Sequence, residues 1–154
     1  MNSEIKLFRA LLQERKDFFE SNSYIFEEEK IYNEGDREEF FRVTFKNKVL
    51  YKEIFFDFYT SFGKYTKNEI TASITKEGQS AIGIATFLAY KNLNQTIRYE
   101  DREKYRLKVD PQNLEEAINQ QLDRIIEILS TDMKELFTTE AWMRIPIHDP
   151  RDDY

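Results

Sequence analysis

The sequence predicts an α+β fold: a mostly antiparallel sheet of about five to seven strands, with an N-terminal helix and a long C-terminal helix packed on one of its faces. Three observations predict it. Apolar residues recur at helical spacing near both ends of the 154-residue chain. Between those ends the apolar residues switch to a period of two, in runs rich in Phe and Tyr. Segments with turn chemistry, several of them holding Gly or Asn, separate the runs.

Residues 3–20 form the first helical pattern. Ile5, Phe8, Leu12 and Phe19 keep helical spacing, and Leu11 and Phe18 widen the stripe. Ser3 is placed to cap it and Glu4 suits its positive end. Period two begins with YIFEEEKIY at 24–32, followed by turn chemistry in NEGD at 33–36. It resumes in EEFFRVTFK at 38–46, and Asn47-Lys48 reads as a two-residue turn. VLYKEIFFDFYT at 49–60 is the longest strand pattern. A loop at 61–68, a strand at 69–75 and a turn at 76–79 follow. Residues 80–90 read preferentially as a strand; the competing helix would carry Gly83 and Thr86 in its interior. Short strands at 95–99 and 104–109 complete the sheet. The clearest helix spans 110–129, with Pro111 in its first turn and Leu114, Ile118, Leu122, Ile125 and Leu129 as its buried stripe. Asn113 and Glu116 resemble a capping box. Asp132 to Phe137 reads as a short last helix. Residues 1–140 are expected to form one domain and 141–154, with two prolines and many charges, a C-terminal tail that is dispensable for folding after about Ile145.

A two-residue turn at 47–48 pairs Arg42 with Glu53 and Phe40 with Phe55; a four-residue loop at 33–36 pairs Phe26 with Val43 and Tyr24 with Phe45. That register collects Tyr24, Phe26, Phe41, Val43, Phe45, Leu50, Ile54 and Phe56 on a core face. The opposite face then holds Glu27, Glu29, Phe40, Arg42, Glu53, Phe55 and Asp57, with Glu38 opposite Asp57. These are the candidate partner-binding residues, because aromatics grouped among acids are uncommon on an idle surface. The plainer alternative is a solvated sheet face with cross-strand ion pairs, each contributing less than about 1 kcal/mol.

Composition excludes several chemistries. The absence of Cys excludes disulfides, thiolate metal sites and cysteine nucleophiles. No apolar run approaches the ~20 residues of a membrane span, and the opening MNSEIKLFRALL reads as a helix, not a signal peptide, so a cytoplasmic setting is expected. The net charge of −6 disfavours nucleic acid and permits a basic partner. His148 is the only histidine and sits in the expected tail, so neither a Ser-His-Asp site nor a His-rich zinc site is indicated. Glycines 35, 63, 78 and 83 form no phosphate-binding loop. Asp17 with Glu28-Glu29-Lys30 matches the acid and Glu-x-Lys triplet of metal-dependent nucleases, but Asp17 falls in a helix pattern and chance accounts for the triplet in so charged a chain. Lys104, Arg106 and Lys108 give a 104–109 strand one basic side, suited to protecting a sheet edge. Trp142 is placed to dock the C-terminal segment or to anchor a partner. No cofactor, metal or catalytic residue is expected.

The stripe Ile5–Phe19, the strands from Tyr24 to Thr60 and YRLKVDPQNLEEAINQQLDRIIEIL at 105–129 together resemble small acidic bacterial α+β proteins of two kinds. One is the immunity type, which neutralises secreted toxins; the other is the secretion-chaperone-like class. The second inserts a helix in the middle of its sheet, where this chain has turn signals and a strand at 61–80. The resemblance implies a non-enzymatic domain that binds a protein stoichiometrically, here a basic one. A carrier of small apolar ligands, with an aromatic cavity between sheet and C-terminal helix, is the alternative, and an unrecognised metal-dependent hydrolase a third.

Overall fold

The computed structural model describes residues 1–34, 37–60 and 68–153. The expected turn at Gly35 and the loop at 61–67 lie outside them. Helices α1 (Ser3–Gln13) and α2 (Lys16–Ser21) precede four long strands: β1 (Ile25–Glu34), β2 (Arg37–Asn47), β3 (Lys52–Tyr59) and β4 (Glu69–Lys76). A two-residue strand β5 (Ile82–Gly83) runs directly into α3 (Ile84–Leu93). A 3-10 helix (Tyr99–Tyr105), strand β6 (Leu107–Lys108), α4 (Leu114–Ser130) and α5 (Lys134–Thr138) follow. The sheet is antiparallel in the order β1-β2-β3-β4-β5, and β6 also pairs with β4.

The N- and C-terminal helices cover one face of the sheet, as the apolar stripes require. Phe8 of α1 is buried, stacked on Phe58 at 4.8 Å and edge-on to Phe41 at 6.2 Å. Phe19 of α2 stacks on Phe45 at 4.7 Å. Ile118, Leu122, Ile125 and Leu129 of α4 are buried as expected, with Ala117 and Ile128 beside them. The pattern at 3–20 divides at Arg15, which ties α1 to α4. Its guanidinium donates to the Leu11 carbonyl (2.8 Å), to Asn119 Oδ1 (2.9 Å) and to Asp123 Oδ1 (3.0 Å). Asn2, not Ser3, caps α1: its Oδ1 accepts from the Ile5 amide at 2.8 Å. No capping bond forms from Asn113; Asp110 caps the turn before α4 by accepting from the Gln112 amide.

Two registers differ from expectation. Between β2 and β3, Asn47 pairs with Lys52 and Arg42 with Asp57, a shift of four residues from the expected pairs. A two-residue hairpin needs positive φ at both central positions, which Asn-Lys supplies poorly. Instead Asn47 Oδ1 accepts from the Val49 and Leu50 amides, and Tyr51 takes φ 56°, making a four-residue loop. Four is even, so every residue of β2 and β3 keeps its expected face. In β1 the alternation breaks. Phe26 pairs with Phe45 but Glu28 pairs with Thr44, leaving Glu27 as a bulge. Beyond the bulge the faces exchange: Glu29 and Ile31 turn to the helix side, and Glu28, Lys30 and Tyr32 to the open side. Tyr24 precedes the strand, fully buried, with its hydroxyl donating to the Phe137 carbonyl at 2.7 Å; burial pushes its pKa up. Phe26, expected in the core, is 52% exposed.

Residues 84–93 are helical although a strand was preferred. Gly83 lies at the N-cap, not inside, and Asn94 ends the helix in the left-handed region at φ 51°. Ile84, Thr86, Phe87, Leu88 and Ala89 are all buried, so the helix has little amphipathic signal to read. The expected strands at 95–99 and 104–109 reduce to β6 and a parallel bridge between Ile97 and Ile147.

That bridge docks the end of the C-terminal tail, which was expected to be dispensable after about Ile145. The Ile97 amide donates to the Pro146 carbonyl and the His148 amide to the Ile97 carbonyl, both at 2.8 Å, and Ile145 is buried. Deleting 146–154 is therefore expected to cost about 1–3 kcal/mol, the net worth of two such bonds. A denaturant midpoint equal to that of the full chain would show that the docking contributes nothing.

Candidate functional site

The face of the sheet turned away from α1 and α4 carries the candidate site. Its cross-strand rows follow from the register. Tyr32, Phe40, Tyr59 and Glu69 form one row; Lys30, Arg42, Asp57 and Thr71 the next; Glu28, Thr44, Phe55 and Ser73 the third. Lys46, Glu53 and Thr75 form the last.

Arg42 organises the centre. It sits opposite Asp57, so its guanidinium reaches the carboxylate in parallel, Nε to Oδ1 at 2.6 Å and Nη2 to Oδ2 at 2.8 Å. The Asp57 side chain is 6% exposed and that of Arg42 30%. The hydrogen bonds to Asp57 raise the Arg42 pKa. The same guanidinium stands 4.3 Å from the centre of the Phe55 ring, 5.3 Å from Tyr32 and 5.6 Å from Phe40. Tyr32 stacks on Phe40 at 4.5 Å, and Phe40 lies 5.1 Å from Tyr59. Four half-buried rings thus surround one fixed ion pair.

Of the residues expected here, Phe40, Arg42, Phe55 and Asp57 come together, with Glu53 lower on the same face. Glu29 does not belong to it: on the helix side it pairs with Arg9 at 2.8 Å. Glu27 occupies the bulge. Lys46 Nζ lies 3.9 Å from both Glu27 and Glu53. The face is therefore aromatic, with Asp57 paired to Arg42 and Glu53 near Lys46, where an acidic face with aromatic inserts was expected. Sequence reasoning missed Tyr32, Tyr59, Lys30 and Glu28. No alternation marks the exchange of faces, because apolar residues stand at odd and even positions on both sides of the acidic run, Ile25 with Phe26 and Ile31 with Tyr32.

At the β4 end the face deepens into a cleft of about 460 Å³ between the sheet, the start of α3 and the 3-10 helix. Arg106 crosses from β6 to Glu69 in a second bidentate pair, at 2.6 and 2.9 Å. Arg106 and Lys108 both bond Glu103 as well, and hold its carboxyl down at about 2. The basic side expected at 104–108 is thus consumed in pairs, apart from Lys104, which lies near the Tyr105 ring. The nuclease-like triplet, attributed to chance, is split, with Glu28 and Lys30 on the open face and Glu29 behind. Among the described residues, no group of three or more His, Asp or Glu is placed to hold a metal ion, and no helix is long and apolar enough to cross a membrane. Compared with protein-family models, with curated proteins and with solved structures, the chain has no match in any of the three.

Proposed function

We propose that this chain is a non-enzymatic protein-binding domain that recognises its partner with the open face of its sheet, as a stoichiometric inhibitor of the immunity type would. One observation carries the reading: Tyr32, Phe40, Phe55 and Tyr59 stand half-buried around the Arg42–Asp57 pair, on the face turned away from α1 and α4. Aromatic rings and arginine are the side chains that contribute most to interfaces, because they bury large area with little rotamer freedom to lose. The ion pair locks the rings before binding, which lowers the ordering cost. The net charge of −6 favours a basic partner through faster encounter.

The reading has a direct test. The wild-type chain, Phe55→Ala and the control Phe26→Ala, which changes an exposed ring outside this cluster, are immobilised and used to capture a protein partner. Phe55→Ala is expected to weaken capture by at least about 2 kcal/mol, as for an interface hot spot. Its own stability should fall by only about 1 kcal/mol, since the ring is half-exposed. A partner retained equally by all three proteins removes this face as the recognition surface. So does a Phe55→Ala chain destabilised as strongly as a core variant.

A further inference from the structure

We propose that the cleft beside β4, which adjoins the partner-binding face at Tyr59, is a binding site for a small planar carboxylate. Three features of its wall point to that chemistry. Arg102 of the 3-10 helix lines the cleft and lies over the Tyr99 ring at 5.0 Å. Among the described residues its guanidinium makes neither an ion pair nor a hydrogen bond, whereas its neighbour Arg106 is spent on Glu69 and Glu103. Arg102 is half-buried, so part of its hydration is already lost and a carboxylate would replace it with paired N–H···O bonds.

The second feature is charge. The cleft is lined by two arginines and one glutamate, so it carries a net +1 in a chain whose overall charge is −6. One unspent cation matches a monoanion; a phosphate dianion would leave charge uncompensated next to Glu69. The third is shape. Tyr59, Tyr99 and Tyr105 line a volume within the range of small-ligand sites, together with Thr71 and Ser73 of the sheet. Gly83 leaves the wall open. A Cβ built there meets only Ser73 Oγ at 3.6 Å and Thr86 Oγ1 at 3.8 Å, both ordinary contacts, and its backbone is in the extended region any residue adopts.

Two substitutions attack the site by unrelated routes: Arg102→Gln removes the charge, and Gly83→Leu fills the space. The probe is 2-naphthoate, followed by amide shifts of the isotope-labelled full chain, with 2-naphthamide and 2-naphthyl phosphate in parallel. Saturable shifts with naphthoate are expected at residues 71–73, 83–86 and 99–106. Arg102→Gln should weaken binding roughly tenfold or more, the worth of hydrogen bonds to a charged group. Gly83→Leu should abolish it, while Phe55→Ala leaves it unchanged. Equal binding of the neutral amide would overturn the assignment of Arg102, and tighter binding of the phosphate would overturn the carboxylate class. An absence of saturable shifts, or shifts confined to the Tyr32–Phe55 region, would remove the site altogether.

Discussion

Replacing Lys52 by methionine is expected to lower the unfolding free energy by about 2–4 kcal/mol and to loosen the chain after α5. Lys52 opens β3 on the core side of the sheet, where it is 1% exposed. Its ammonium donates to three backbone carbonyls, those of Leu136 (2.6 Å), Thr139 (2.5 Å) and Ala141 (2.7 Å), and lies 5.6 Å from the Trp142 ring. These carbonyls are the acceptors that the end of α5 and the following turn cannot pair internally. Methionine fills the space but leaves all three without a donor. Hydrogen exchange should then speed up at residues 137–148 more than in β2 or β3. If exchange there is unchanged, the lysine is not what holds the segment down.

The same group has a pH signature. Burial, with Lys76 adding repulsion and Glu140 opposing, lowers the Lys52 pKa from 10.5 to about 8. The folded chain therefore gives up this proton before the unfolded chain does. From about pH 8 to 10.5 the unfolded state holds the extra proton, so the Lys52 contribution to stability rises with pH across that window. The stability difference between wild type and Lys52→Met should widen in the same window. A side-chain titration midpoint near 10.5 would show that the three carbonyls fully offset the burial.

Phe8→Ala is expected to cost about 3–5 kcal/mol, the range for a buried aromatic truncated in a packed core. Phe8 is completely buried and touches two strands, stacking on Phe58 and meeting Phe41 edge-on. Neighbours cannot collapse into the gap, because α1 is also fixed through Arg15 to Asn119 and Asp123 of α4. Chemical denaturation measures the loss. A shift no larger than that of a surface variant would mean that α1 does not pack on the sheet.

The N- and C-terminal helices and both faces of β2 and β3 were legible because their apolar periods are long and unbroken, and an even register error moves no side chain across the sheet. What was illegible had local causes. Asn47 builds its own loop, the Glu27 bulge exchanges the faces of β1, and α3 is buried nearly all round, so its period is hidden. The Arg42–Asp57 pair escaped notice for the same reason as the register: Arg42 was set opposite Glu53 and Asp57 opposite Glu38. The cleft was invisible because it joins β4 to a 3-10 helix that has no apolar pattern of its own.

The bulge at Glu27 also bears on how copies of this chain behave towards one another. β1 ends the sheet on one side, with Ile25 and Phe26 exposed, while β5 and β6 occupy the outer side of β4. Two β1 strands meeting antiparallel about Glu28 would set Glu27 against Glu29 twice over, and the extra residue would break the ladder at the point of contact. Like charges and a kinked backbone therefore guard the β1 edge, the one long edge without a neighbouring strand among the described residues, against templated aggregation, leaving an open aromatic face on a chain that resists polymerising through its strands.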